Sequence, residues 1–157
     1  MTRRIELAAS AAPFLRHLEE WYAALPDADM ATIVGAHPER VAVLSVDMIN
    51  GFCKEGPLSG PRVGALVEPV VATLRRAYEL GVRSIALTQD THSPTTPEFA
   101  AYPPHCIAGT PESQTVAEIA ELPFAGELAI FEKNSLSSHL GTGFSDWLRE
   151  RPQLETF

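Results

Sequence analysis

Three short apolar runs, each ending in charge, constrain the fold of this chain more than any other feature of its sequence. The first is V-A-V-L-S-V, residues 41–46, followed by Asp47. The second runs from Val82 to Thr88 and leads into Gln89 and Asp90; the third runs from Leu128 to Phe131 and leads into Glu132 and Lys133. Runs of this length, rich in β-branched and bulky side chains, read as strands buried on both faces, which is the habit of parallel sheets. Between the first two, Leu66, Val70, Leu74 and Tyr78 recur at helical spacing from about Ala65 to Leu80, and Gly81 follows as a C-terminal cap. A strand, a helix and a second parallel strand are joined by a right-handed crossover, so both strands end on the same edge of the sheet. Asp47 and Asp90 therefore share the edge along which open α/β folds bind ligands.

The rest of the chain is read the same way. Leu7, Ala11, Phe14, Leu15, Leu18, Trp21, Tyr22 and Leu25 form an apolar stripe, with Arg16, Glu19 and Glu20 on the other side, so an amphipathic helix ends near Pro26. Pro13 lies inside it and should bend or restart it. The stripe can pack on the body, the plainer expectation, or against another subunit. A helix is predicted around Ser113 to Glu121, and a last one, capped by Thr142 or Ser145, through Trp147 and Leu148. Leu154 to Phe157 has the look of a further strand beginning. At 157 residues with 45% hydrophobic content the chain suits a single core. We divide it into a helical extension, residues 1–40, and an α/β domain, residues 41–157.

Charge and cysteine content narrow the partners. Twelve Lys plus Arg against 20 Asp plus Glu give a net charge of -8, which repels a phosphate backbone, so nucleic acid is not an expected partner. The apolar stretch of the N-terminus is broken by Glu6, Arg16 and His17, which fits neither a signal peptide nor a membrane span. Cys53 and Cys106 could pair, but two cysteines do not make a secreted disulfide framework, and reduced thiols in a cytoplasm are expected.

The densest chemistry lies in T-Q-D-T-H-S-P-T-T-P-E-F-A-A-Y-P-P-H-C-I-A-G-T, residues 88–110, which holds Asp90, His92, Glu98 and His105. Two imidazoles and two carboxylates suit a borderline divalent ion, Zn, Fe or Mn, better than Mg or Ca, which take all-oxygen shells. Four prolines stiffen the segment and lower the entropy lost on closing a chelate. The alternative from spacing alone is a solvated proline-rich loop. Asp47 and Lys133 form a second constellation: a carboxylate kept ionised by an ammonium can accept a proton, or the two can be an ordinary ion pair at the sheet edge.

These segments together resemble the isochorismatase-like cysteine hydrolases, with the nicotinamidases as the nearest branch. The resemblance runs from about Val41 onward and is carried by V-L-S-V-D-M-I-N-G-F, by the D-x-H loop with Y-P-P-H-C-I-A-G-T, and by E-K-N-S-L-S-S-H-L-G-T. It implies a three-layer, doubly wound parallel sheet, here without its last strands. It implies that Asp47 is the general base, that Lys133 orients it and stabilises charge, and that Asp90, His92, Glu98 and His105 are the ligands of a divalent metal. Phe52 and Tyr102 fall where the family has aromatic walls around its substrate, core packing being their other reading.

The implied reaction is metal-assisted hydrolysis of a small carboxamide such as nicotinamide by a cysteine thiolate. Other small amides or carbamoyl compounds, and a non-catalytic metal-binding or assembly subunit, are the competing readings. Three departures from the pattern bear on these. The first motif often reads D-x-Q-x-D-F, and this chain has Ile49 and Gly51 at the Gln and second Asp positions. His139 stands where the family often has an aromatic. Neither Cys53 nor Cys106 occupies the nucleophile's position, after the fourth strand, so the chain by itself is expected to be inactive, and residues 41–46 are expected to form an exposed apolar edge. A C-terminal complement or a second copy is the expected partner.

Overall fold

The computed structural model describes residues 7–157, with side chains from residue 11 onward; Glu6 and the side chain of Leu7, both used above, lie outside the described residues. Helix α1 spans Leu7–Ala23 and runs through Pro13 as one element. A proline there costs one backbone hydrogen bond, and the helix on either side of it is long enough to persist. The apolar stripe of α1 does not pack on the body: Phe14, Leu15, Leu18, Trp21, Tyr22 and Leu25 are all exposed, Tyr22 to 76%. This corrects the plainer expectation above. Helix α2, Met30–Val34, follows, and the side chain of its cap Asp29 accepts a hydrogen bond from the Thr32 N–H.

Strand β1 (Ala42–Val46) leads through two short helices, α3 (Asn50–Cys53) and α4 (Pro61–Gly64), to α5 (Val67–Glu79). Gly81 then reverses the chain at φ 95°, and its N–H bonds to the carbonyl of Tyr78. Strand β2 spans Ser84–Asp90 and β3 spans Ala129–Lys133, so each is longer at its C-terminal end than its apolar run suggested. Glu132 and Lys133 are inside the ladder because backbone pairing, unlike hydropathy, does not stop at a charged side chain. The helix expected over Ser113 to Glu121 is only a single turn, α6 (Ala117–Ala120), with a 3-10 turn before it. Helix α7 is Phe144–Arg149, and Thr142 Oγ1 accepts the Phe144 N–H at its start.

The three strands are all parallel, in the order β1-β2-β3. Helices lie on both faces, α5 and α6 on one and α7 against β3 on the other. Ile85 and Leu87 join Leu74 and Ala77 of α5 and Ile119 of α6 in one buried cluster, and Leu74 and Ile119 are fully buried. Each such aliphatic side chain contributes about 1.5–3 kcal/mol of burial. Leu87 pairs with Ile130 and Thr88 with Phe131, so strand alternation turns Phe131 to the opposite face, where Phe144 and Trp147 of α7 pack on it. Opposite α5, along β1, Leu44 and Val46 are 39% and 51% exposed, so part of the expected apolar edge is open. Val41 and Ala42 are buried, and Thr156 bridges Val41 in parallel, with its carbonyl accepting the Ala42 N–H at 2.9 Å.

Register fixes the functional edge. Asp90 lies directly beside Lys133, and Val46, paired with Thr88, delivers Asp47 one residue later. Among the described residues no helix is long and apolar enough to cross a membrane.

Candidate functional site

Asp47 sits where β1 stops. Its φ of 57° is left-handed, a conformation Asp adopts at a cost on the order of 1 kcal/mol. Two bonds hold it there: its N–H donates to the Thr88 carbonyl at 2.8 Å, and its Oδ1 accepts the Asp90 N–H at 3.0 Å. Oδ2 accepts from Lys133 Nζ at 3.1 Å, and the same ammonium bonds Asp90 Oδ1. Lys133 is 2% exposed. Burial alone would lower its pKa; the hydrogen bond to Asp90 and the charges of both carboxylates outweigh this and hold it above the ordinary lysine value. For Asp47, burial and then the negative charge of Asp90 raise the carboxyl above its usual range, against the pull of Lys133.

The other oxygen of Asp90 faces the loop. Its Oδ2 lies 3.5 Å from His92 Nε2, Glu98 Oε2 is 3.9 Å from the same nitrogen, and Glu98 Oε1 is 3.9 Å from His105 Nε2. One donor atom from each of Asp90, His92, Glu98 and His105 falls within 4.8 Å of all the others. Both imidazoles are almost fully buried, and each has its Nδ1 engaged, His92 with Asn134 Oδ1 at 3.3 Å and His105 with the Pro103 carbonyl at 2.8 Å. An Nδ1–H donated to an oxygen leaves the Nε2 lone pair pointing inward, as a metal-ligating histidine requires. His92 Nε2 is buried and has no hydrogen-bond partner among the described residues. A buried, orphaned acceptor costs about 1–3 kcal/mol, which a divalent ion would relieve. The residues present fit such an ion, and the solvated-loop reading does not describe them.

Aromatic rings enclose the group. Phe52 lies 5.8 Å and Tyr102 6.4 Å from the His105 ring centroid. Sequence reasoning missed Phe99, 5.5 Å from both His92 and His105, although it directly follows Glu98. It also missed Asn134, one residue past Lys133, whose Oδ1 additionally accepts the Ser93 N–H at 2.9 Å. A polar residue after the end of a buried strand was the available signal. His139 bonds Ser145 Oγ at 2.9 Å and lies against Phe144.

Both cysteines are buried and unbridged. Cys106 is fully buried, and desolvation followed by the charges of Asp90, Glu112 and Asp47 pushes its thiol up to about 12. Burial likewise raises Cys53. Neither is a thiolate near neutral pH.

A model of the isochorismatase domain matches residues 41–153. The chain belongs to the isochorismatase family. Among curated proteins, nicotinamidase 1 of Arabidopsis thaliana is 28% identical over 124 residues, covering 71% of this chain and 50% of its own length. Among solved structures, the N-carbamoylsarcosine amidase from Thermoplasma acidophilum superposes with a TM-score of 0.63 at 26% identity, over 72% of this chain and 62% of that one. The pyrazinamidase of Pyrococcus horikoshii, solved in complex with zinc, gives 0.61 at 26% identity, over 72% and 65%. This chain thus spans about half the length of the curated relative. The doubly wound parallel sheet expected of an isochorismatase-like chain is the one observed, with three of its strands in these residues.

Proposed function

We propose that these residues form the base-bearing and metal-holding part of a cysteine amidase of nicotinamidase type, hydrolysing a small carboxamide to the acid and ammonia. The observation that carries the reading is the continuous path from Asp47 through Lys133 to Asp90, whose second oxygen belongs to the four-residue ligand group. Asp47, raised by burial, takes the proton of a thiol, and Lys133 keeps its carboxylate oriented. The thiolate adds to the amide carbon. The leaving nitrogen takes the proton back from Asp47 and departs as ammonia, leaving a thioester that water hydrolyses with Asp47 again as base. A divalent ion on Asp90, His92, Glu98 and His105 supplies a Lewis-acid anchor for a substrate lone pair. Phe52 and Tyr102 wall the substrate plane.

The thiol is not Cys53 or Cys106, since both are buried and protonated. It is a thiol other than these two, contributed by a complementing polypeptide segment in a cytoplasmic oligomer. The relatives named nicotinamidase and pyrazinamidase favour an aromatic carboxamide. The likeness to an N-carbamoylsarcosine amidase, together with Ile49 and Gly51 in place of the motif's Gln and Asp, favours a carbamoyl compound as the second reading.

The deciding experiment supplies nicotinamide, pyrazinamide and N-carbamoyl amino acids separately to the intact oligomer, with and without chelator, and follows ammonia. Chelator-sensitive release that vanishes in Asp47→Asn supports the amidase, and the preferred substrate chooses between the readings. Metal binding without turnover of any of them would replace the enzyme with a metal-binding subunit.

A further inference from the structure

Cys106 joins the two imidazoles of the ligand group without being a ligand. It follows His105 directly, and its carbonyl accepts the His92 N–H at 2.9 Å, while His92 in turn accepts the Ala108 N–H at 2.9 Å. His92 and Ile107 thereby form a parallel bridge. Cys106 holds an unusual backbone state, φ 45°, which an L residue with a side chain adopts only when its surroundings impose it. What imposes it is visible. The Cys106 N–H donates to Glu112 Oε2 at 3.0 Å, and its thiol is packed against Gly51, where a β-carbon would lie only 2.4 Å from Sγ. The Glu112 carboxylate is itself seated in a cradle built from glycine. A β-carbon on Gly56 would come within 2.8 Å of Oε2 and of the carboxyl carbon, and one on Gly51 within 3.2 Å of the Glu112 β-carbon. Asn50 fastens the same loop from the other side, through Nδ2 to the Pro111 carbonyl at 3.0 Å and its N–H to the Gln114 carbonyl at 2.9 Å.

We propose that Glu112 is a positioning residue of the metal group, acting through Cys106 on both His105 and His92; this rests on the metal reading above. The N–H that Glu112 receives belongs to the peptide linking His105 to Cys106. Holding that peptide plane fixes the backbone from which the His105 imidazole projects, and it aims the Cys106 carbonyl at His92. At Gly56 the Glu112 carboxylate occupies the space a side chain would need, and at Gly51 the Cys106 thiol and the backbone and β-carbon of Glu112 occupy it. Without the acceptor, Cys106 relaxes out of the left-handed region and the two Nε2 atoms lose their common focus.

The test uses Co(II) alone as the probe, added to the intact metal-free protein, with its visible absorption reporting ligand geometry and a titration giving Kd. Wild type is compared with Glu112→Ala, Glu112→Gln and Glu112→Asp. Glu118→Ala, which removes only the exposed partner of Lys54, is the control. Glutamine keeps an acceptor oxygen at the same reach and is expected to bind within about two-fold of wild type, whereas alanine weakens Co(II) by about 10–100-fold and alters the spectrum. Aspartate, one methylene short, falls between, and it carries the comparison should the alanine variant not fold. The control leaves Kd unchanged. A wild-type Kd and spectrum in both Glu112→Ala and Glu112→Asp would overturn the proposal, as would equal losses in the glutamine and alanine variants. Failure of wild type itself to bind Co(II) would instead overturn the metal reading on which it depends.

Discussion

Replacing Lys133 by Met in the metal-free protein isolates the electrostatics of the sheet edge. Lys133 and Asp90 are buried to all but 2% and 4% of their side chains, and Asp47 to all but 27%. Methionine matches the volume of the lysine stem, so little of the packing changes. The loss is that of an ammonium serving two carboxylates. Removing one partner of a buried pair costs about 3–5 kcal/mol, with the part owed to Asp47 at the low end because water screens it. An upper bound comes from the escape route: one carboxylate can take up a proton, at about 1.4 kcal/mol per pH unit above a carboxylate pKa of about 4, hence about 4 kcal/mol near pH 7. The sign follows. In the variant the folded state holds that proton more tightly than the unfolded state, so the penalty is largest at neutral pH and shrinks as pH falls. Urea unfolding in chelator should show the variant destabilised by about 3–4 kcal/mol near pH 7 and by about half of that or less near pH 5, with the m-value unchanged. A loss below about 1 kcal/mol, or one that ignores pH, would refute the assignment of Lys133 as the counter-charge of two buried carboxylates.

Further outcomes follow from burial and from the hydrogen bonds of the site. Both cysteines should resist an aromatic disulfide reagent in native protein at mildly alkaline pH and react fully in denaturant; prompt native labelling would contradict their burial. Because burial raises the Cys53 thiol, its contribution to stability is complete below the unfolded thiol pKa and is lost as pH rises through the folded one, which thermal melts across alkaline pH should register against Cys53→Ala. Asn134→Ala should weaken Co(II) binding by about 10-fold or more by releasing the His92 Nδ1. Polar replacement of Leu15 and Leu18 should change stability by no more than about 0.5 kcal/mol in a dilute sample; a loss several times larger would place the stripe of α1 against the body or another subunit.

The strands, their parallel order and the charged residues at their ends were legible in the sequence because buried parallel strands and the helix between them leave a periodic apolar record. So was the list of chemical groups, since Asp, His, Glu and Lys at strand ends and in a proline-rich loop stand out against that record. Burial and convergence were not legible. Spacing left the loop free to be a solvated segment, and only the pairing of Asp90 with Lys133 and of His92 with Ile107 turns four scattered side chains toward one point. The same holds for residues that act through the backbone. Glu112 and Asn134 look like surface polar residues in the sequence, and their meaning arises from hydrogen bonds to Cys106 and His92 that span six and 42 positions. The stripe of α1 shows the reverse case, for amphipathic periodicity states that a face wants cover but not what covers it. Local sequence determines what each segment can form, because propensity and hydropathy act over a few residues. Which side chains meet was decided by sheet register and loop closure, which bring distant residues within hydrogen-bond distance.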